Sequence, residues 1–573
     1  MNKAMGNAEI AERGFSRPVS FWVGAAGVLI GVLGQLPMYV SARSRHFMLR
    51  GMPMDPAMLV GMVLMAVGFV LVCWGVGYRC LPGGSGSRGL SRLGDLPHVR
   101  ALDDVRIGPA HIRLMVVLTA AIAIDSLKPY TLTFILPGVA KEYGLSSPVH
   151  HIAGHQPVAL LAFWGILGTA AGSFIWGYLG DRVGRRASIL IASVLFVATS
   201  ACSAMPNFWQ NELMCLVMGI AVGGFLPITY ALLVETVPSR VRGPAVVLIG
   251  GIGTALGFLM ASAFADWLIP SLGWRIMWLL GIPSGVALIL LNREIPESPR
   301  FLSAIGEDGE AKAIMERFGS AMVAPLPWDA AGTQAAQPPD TLLGTVADHR
   351  SPARGRDRLG LIVSRPYRLM TPALTLYGIA FGIVNFGFLV WLPIDLAHAQ
   401  HGVHGPEVTV LLAKAAFFSI PGAVLAAWLY GRSAKKAMVV FAATSALSLG
   451  VFWAFGSEVV ASPTLFTVVL VALLVSMWGS ISVLCPYSAE VYPTAVRATG
   501  AGLAAGASKV GGVLALAMAV LAITPPDLTG AALMSAMPML LAAVVVGIVG
   551  VETAGRPLDS IARRDTEMSP ALR

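Results

Sequence analysis

Four ionisable side chains lie deep inside long apolar segments, where a charged group is costly and usually serves a function. Asp125 and Lys128 come about 13–16 residues after the start of one segment, which is roughly 20 Å along a helix and close to mid-membrane. Their spacing of three places both on one helix face, where they can pair. Lys509 is again central in its segment, whereas Lys414 lies one or two turns inside the end of another.

The charges of these four residues do not balance, because three lysines accompany one aspartate. Each uncompensated charge in the hydrocarbon zone costs at least about 2.5 kcal/mol. A small organic anion would supply the missing negative charge, so we expect Lys128, Lys414 and Lys509 to bind it. Asp125 is then the candidate proton carrier.

Structural alternatives stand beside each of these roles. Asp125 and Lys128 can form a purely structural pair, Lys414 can extend to the membrane surface, and Lys509 can bond carbonyls at a helix break. A neutral lysine would also reduce the surplus. Further candidate contacts to a substrate are Tyr130, Gln156 and Asn385.

The elements that position these residues are long apolar segments. The chain is 56% hydrophobic and 12% charged, and its mean hydropathy is +0.72. Segments of about 20 apolar residues match a bilayer core of roughly 30 Å, and only helices satisfy their own backbone there. Fourteen are expected: 19–41, 56–79, 112–140, 155–180, 187–205, 212–234, 244–269, 274–292, 369–396, 407–430, 437–456, 462–488, 498–522 and 529–551. The sequence predicts an all-α membrane protein.

The net charge of +9 reflects topology. From the third segment onward, one set of loops carries nearly all Lys and Arg, and the other set carries only Lys141 and Arg275. This asymmetry predicts that the basic loops and both termini are cytoplasmic in a plasma (inner) membrane protein. It argues against a nucleic-acid partner. The five cysteines show no metal-ligand spacing, and no cofactor or metal is expected.

Two short turns occur twice. The turn from Gly177 to Arg186 is repeated at a shift of 250, so that Arg432 lies over Arg182 and Gly431 replaces Asp181. Glu-x-x-Pro-x-x-x-Arg occurs at 235–242 and, shifted by 255, at 490–497. Two halves with the same turns in the same order indicate duplication.

The domain boundaries follow from this repeat. We expect a two-span extension at 1–110, six-helix bundles at 111–295 and 368–555, and a cytoplasmic tail at 556–573. The linker at 296–367 should begin with a short amphipathic helix. The bundle core is therefore six plus six helices, preceded by two additional spans.

The Gly177–Arg186 turn resembles the loop between the second and third spans of the major facilitator superfamily. Pro296-Glu-Ser-Pro-Arg300 and Glu552-Thr-Ala-Gly555 resemble signatures of its sugar porters and related metabolite:proton symporters. This resemblance implies alternating access between two bundles and an inner gate of charged helix ends, whose alternative role is topology and capping alone. The gating candidates are Gly177, Asp181, Arg182, Gly184, Arg185, Arg186, Glu235, Arg242, Glu490 and Arg497.

Together these features predict a secondary active transporter, not an enzyme, that moves a small organic anion with protons across the bilayer, as a monomer. The open alternatives are a neutral metabolite such as a sugar, drug or metabolite efflux, and a non-transporting receptor or scaffold. Six histidines at 150, 151, 155, 398, 401 and 404 form two loop groups whose role as pH sensor or metal site is left open.

Overall fold

The architecture was analysed in a computed structural model. It describes residues 17–76, 102, 105–146, 156–305, 307–319, 360–364, 367–389, 417–418, 420–493, 496–521, 528–556 and 558. The candidate Lys414, the two histidine groups and most of the 296–367 linker lie outside these residues. The described part is helical and contains no strand, which confirms the predicted all-α class.

The N-terminal extension forms a hairpin of α1 (Pro18–Leu33) and α2 (Pro56–Val76). Glycines allow the two helices to touch along their length. A Cβ added at Gly24 or Gly31 would lie 2.5–2.6 Å from a backbone oxygen of the other helix. The connection between them docks on the core, where Glu142 accepts bonds from the Leu49 and Arg50 amides at 2.7 and 3.1 Å. Glu142 also pairs with the buried Arg275 at 2.7 Å.

The first half of the core runs from α3 to α10. Its helices are α3 (Pro109–Tyr143), α4 (Ala159–Val183), α5 (Arg185–Ala198), α6 (Phe208–Gly223), α7 (Phe225–Thr236), α8 (Ser239–Leu272), α9 (Ile276–Leu279) and α10 (Gly281–Leu291). Two short helices follow, α11 (Pro299–Ile305) and α12 (Asp308–Arg317). The amphipathic helix expected at the start of the linker thus corresponds to α12, whose Ile314 is buried.

The second half contains α13 (Met370–Ile383), α14 (Pro421–Arg432), α15 (Ala434–Ala461), α16 (Pro463–Val491), α17 (Arg497–Val520) and α18 (Leu528–Val549). A π-helical turn at Val384–Phe388 continues α13. Each half has its own large apolar core. Exposed apolar side chains such as Val19, Trp267 and Ile548 form the perimeter, as expected of surfaces that contact lipid.

Twelve described helices are long and apolar enough to cross a membrane. The segment expected at 274–292 is divided into the short helices α9 and α10, and the one expected at 407–430 is described as a helix only over Pro421–Arg432. The count of fourteen spans therefore stays a prediction.

The bundle has two chemically different ends. The turns at 181–186, 238–242 and 491–497 and the segment 293–300 lie together at one end, which we call the basic end. The Glu142–Arg275 pair lies at the opposite end. At the basic end the halves touch, because α4 and α17 cross there: a Cβ added at Gly177 would be 2.8 Å from the Ala498 carbonyl oxygen.

Candidate functional site

Asp125, on α3 in the first half, is an inward-facing carboxylate. Its side chain is 1% exposed, and its Oδ1 has no hydrogen-bond partner among the described residues. It interacts electrostatically with Lys509, on α17 in the second half, without forming a direct ion pair. The two halves therefore each contribute one ionisable group to the same region.

Lys509 is half-buried, and its Nζ lies 5.3 Å from the centre of the Phe386 ring, a cation–π contact. In the described part of the chain it has no hydrogen-bonded acid. Phe386 and the half-buried Asn385 belong to the π-helical turn, a feature often found at functional sites. The turn thus places one predicted substrate contact, Asn385, next in sequence to the ring that faces the lysine.

Lys128 does not form the expected pair with Asp125. Its side chain is fully buried, and its Nζ donates to the Trp278 carbonyl oxygen at 3.0 Å. The Phe196 and Trp278 rings each lie 5.4 Å away, and the absence of a side chain at Gly281 leaves room for the ammonium group. The lysine is therefore held within the first half, on contacts that spacing along α3 alone could not reveal.

Tyr130 belongs to an aromatic cluster between the halves. Its ring meets Phe258 of α8 edge-on at 5.1 Å, and Phe258 lies 6.1 Å from Trp478 of α16. Gln156, in contrast, is exposed before α4, at the end opposite the basic end, where its carbonyl oxygen accepts from the Ser146 amide. No described contact joins Gln156 to Asp125 or Lys509.

Sequence reasoning missed two neighbours of Asp125 and Lys509. Tyr230 lies within electrostatic range of Asp125, and Cys485 lies within electrostatic range of Lys509. Both side chains are buried. Their polar atoms sit in apolar helices without any charge or spacing that would have marked them. No group of three metal-ligand side chains occurs among the residues described.

At the basic end, the gating candidates form a buried ionic network centred on Glu235. Its Oε1 accepts from Arg185 at 3.0 Å and from Arg497 at 2.9 Å. Arg185 also pairs with Asp181 at 3.1 Å. Because Glu235 belongs to the first half and Arg497 to the second, the network joins the halves.

Asp181 adds a second connection between the halves. It accepts from the Ala498 amide at 3.2 Å and from the amide and hydroxyl of Thr499, both at 2.8 Å. These groups begin α17, where the unpaired amides and the helix dipole favour an anion. Asp181 therefore caps a helix of the other half.

The repeated Glu-x-x-Pro-x-x-x-Arg motif is used reciprocally. Arg497 of the second copy pairs with Glu235 of the first, and Arg242 of the first interacts with Glu490 of the second. Glu490 in addition accepts from the Tyr430 hydroxyl at 2.8 Å and the Thr553 hydroxyl at 2.6 Å. Each copy thus supplies an acid and a base to the opposite half.

Glu297 is a network member without a role in the sequence interpretation, although its signature was recognised. It accepts from the Arg185 and Arg186 amides at 2.8 and 3.2 Å and caps α5. Burial raises the pKa of the Glu297 carboxyl, against the opposing effect of these amides and the Arg185 guanidinium. Gly184 has a φ of +107°, and a Cβ there would lie 2.5 Å from Glu297 Oε2.

Glu552 is the counterpart of Glu297 in the second half. It accepts from the Ala434 amide at 2.8 Å and from the Ser433 hydroxyl, and so caps α15. In each half, a glutamate of the signature after the last helix therefore caps the start of an earlier helix of the same half. Among the other gating candidates, Arg182 is half-buried and stacks on Tyr178 at 4.2 Å.

Comparisons with known proteins agree with this architecture. The chain is 27% identical over 470 residues to the niacin transporter NiaP of Acinetobacter baylyi, covering 81% of this chain and 99% of the relative. It is 26% identical to organic cation/carnitine transporter 7 of Arabidopsis thaliana (76% and 91% covered) and 27% identical to a gallate transporter of Pseudomonas putida (70% and 83%).

The fold is similar to that of the proton:xylose symporter XylE, with a TM-score of 0.62 at 18% identity over 80% of this chain and 100% of that structure. The family model of the Major Facilitator Superfamily matches residues 118–516, which is most of the chain. With two duplicated bundles joined by the Glu235–Arg497 ion pair, this chain belongs to the major facilitator superfamily and is a transporter, not an enzyme.

Proposed function

We propose that the protein is a proton-coupled symporter of a small organic anion of the carboxylate type. The observation that carries this proposal is the placement of Asp125 and Lys509 on opposite halves, close enough to interact but not paired. Lys509 offers a partly exposed cation to a carboxylate, and Asp125 offers a buried site for a proton.

The mechanism follows from competition for one cation. In the empty site, the negative charge of the Asp125 carboxylate balances the positive charge of Lys509. A substrate carboxylate that binds Lys509 takes over this charge balance, so Asp125 becomes costly as an anion in its apolar surroundings and takes up a proton. Proton and anion then bind together, as symport requires.

The aromatic side chains favour a flat, partly apolar substrate. Phe386 lies beside Lys509, and Tyr130, Phe258 and Trp478 meet between the halves. Such rings suit a carboxylate attached to a ring or short apolar body. Two relatives are named for niacin and gallate, which fits this substrate class.

In this proposal the basic-end network is the inner gate. The candidates from Asp181 to Arg497 hold the halves together at that end, and their separation lets the bundles rock about the central site. The basic end is assigned to the cytoplasm by its positive charge, with both termini on that side. The transporter acts as a monomer in the plasma (inner) membrane. Lys414 keeps its predicted role as a substrate contact, and Lys128 can take the same role only after it leaves the Trp278 carbonyl oxygen.

Uptake into proteoliposomes tests the proposal. Nicotinate, gallate, carnitine and xylose are compared with and without an inward proton gradient. Nicotinate or gallate should accumulate only with the gradient, and Lys509→Gln should raise KM by roughly 10- to 100-fold, because a charge-assisted bond is lost. Asp125→Asn should keep substrate exchange and lose gradient-driven accumulation.

The matched control is Lys141→Gln, since Lys141 is an exposed lysine of the same helix as Asp125. It should transport as the unaltered protein does. Normal anion uptake by Lys509→Gln would refute the proposed anion site. Accumulation of xylose in preference to the acids would instead establish a neutral cargo.

A further inference from the structure

The N-terminal hairpin meets the core at a surface that the transport mechanism does not use. The first residue described, Arg17, donates its backbone amide to the Gly75 carbonyl oxygen at 3.1 Å, so the two ends of the hairpin lie together. The core helix α10 ends at Leu291, two residues before Arg293. Arg293 contacts the hairpin, which places both arginines at one junction.

Each of these arginines stacks on a tryptophan of the hairpin. The Arg17 guanidinium carbon lies 4.6 Å from the centre of the Trp74 ring, and that of Arg293 lies 5.9 Å from the Trp22 ring. Trp74 is 61% exposed and Trp22 is 44% exposed. Exposed tryptophans at helix ends are typical of the boundary between lipid headgroups and the hydrocarbon core.

The positive charges of Arg17 and Arg293 have no acidic partner in the part of the chain that the structure describes. Neighbouring arginines of the same end differ in this respect. Arg113 and Arg317 both pair with Glu294, at 2.6 and 3.5 Å. Among the described residues, the junction therefore presents two guanidinium groups without an acidic partner, and guanidinium groups suit the geometry of a phosphate.

An apolar seam continues from this junction into the membrane. Helices α1 and α10 both pack on α5 in one apolar cluster. The α1 side chains Ala25 and Leu29 and the α10 side chains Ile282 and Ile289 are only partly buried there. A seam of this kind can hold an acyl chain below a headgroup.

We propose that this junction binds an anionic phospholipid, with its phosphate between Arg17 and Arg293, its glycerol region beside Trp22 and Trp74, and an acyl chain along the seam. A soluble phosphate would use the arginines alone. The apolar seam and the exposed indoles favour a lipid, which would fasten the hairpin to the first half.

Native mass spectrometry of the full-length protein in detergent tests this proposal. Phosphatidylglycerol and phosphatidylcholine with identical acyl chains are titrated in parallel, and inorganic phosphate is added in a competition series. The unaltered protein should retain phosphatidylglycerol preferentially, and millimolar phosphate should not displace it. Arg17→Gln/Arg293→Gln should weaken that binding about 25-fold, at roughly 5-fold for each basic residue.

Two further variants separate the site from general charge and from misfolding. Arg240→Gln/Arg368→Gln removes two exposed arginines elsewhere and should leave phosphatidylglycerol binding unchanged. Arg17→Lys/Arg293→Lys keeps both charges and should bind within a few-fold of the unaltered protein. Equal weakening by the two glutamine pairs, equal retention of both lipids, or displacement by inorganic phosphate would each overturn the proposal.

Discussion

The two crossings that join the halves at the basic end are related by the sequence repeat but are built from different chemistry. Where α4 meets α17, Asp181 accepts three hydrogen bonds from Ala498 and Thr499. Where α14 meets α8, Gly431 stands in place of Asp181 and faces Pro244, which is the repeat equivalent of Thr499. One crossing is polar and the other is apolar.

At the apolar crossing, both residues in contact lack the polar group that their counterparts use at the polar crossing. Pro244 has no amide hydrogen to donate, and Gly431 has no carboxylate to accept. A Cβ on Gly431 would lie 2.6 Å from Pro244 Cγ, so the close contact itself excludes an aspartate. The halves have thus diverged in complementary pairs, and we expect the polar crossing to contribute most of the energy that holds the halves together at the basic end.

The largest expected difference separates Glu235→Gln from Glu490→Gln. Removing the Glu235 charge leaves Arg185 and Arg497 buried without their shared partner, which should weaken the closed basic end by about 3–5 kcal/mol. Hydrogen–deuterium exchange at the start of α17 measures this opening. Glu490→Gln should have a smaller effect, because only Arg242 loses an acidic neighbour and its Nε still donates to the Val237 carbonyl oxygen at 3.2 Å. An amide oxygen can also still accept from Tyr430 and Thr553. Equal exchange in both variants would contradict the asymmetry.

Asp181→Asn tests the polar crossing at the start of α17. The amide keeps one acceptor oxygen but loses the charge that serves the helix end and Arg185, so we expect a loss of about 1.5–3 kcal/mol. Exchange should rise at Ala498 and Thr499 and stay unchanged at the start of α15, which Glu552 caps. Faster exchange at both helix starts would indicate general loosening and not loss of a cap.

Much of the basic-end network could be predicted from sequence, because charged residues in a repeated turn reveal both their location and their relation. The reciprocal use of the motif could not, since Glu235 and Arg497 are 262 residues apart and only packing of the halves joins them. The same limit applies at the centre. The interval of three residues suggested that Asp125 pairs with Lys128, but the Trp278 carbonyl oxygen holds that lysine.

The roles of Glu297 and Glu552 show a different limit. Both glutamates lie in signatures that could be recognised by resemblance, but their spacing in the sequence did not indicate which helix each would cap. Lys509, the lysine that influences Asp125 from the other half, was among the candidates, because it is a rare charge in an apolar helix. Tyr230 and Cys485 were not, because neutral side chains leave no comparable signal.

Gly431→Asp tests whether the apolar crossing excludes the missing carboxylate. The new side chain would collide with Pro244 and should destabilise the protein by about 1–3 kcal/mol, measured by thermal unfolding in detergent. Pro244→Thr/Gly431→Asp restores a donor and some space, so it should recover part of this loss. A double variant less stable than expected from the two single changes would show that the divergence is not a matter of these two residues alone.

The smallest expected effect comes from single hydroxyl groups at the two crossings. Thr499→Val removes one bond to Asp181 and should cost about 0.5–1.5 kcal/mol, since the Thr499 amide still binds the carboxylate. Thr553→Val removes one bond to Glu490 within the second half. Both should lower the unfolding temperature by similar amounts, but only Thr499→Val should speed exchange at the start of α17, because its partner lies across the gate. If Thr553→Val speeds that exchange equally, the apolar crossing contributes as much as the polar one to the contact between the halves, and the two crossings are equivalent.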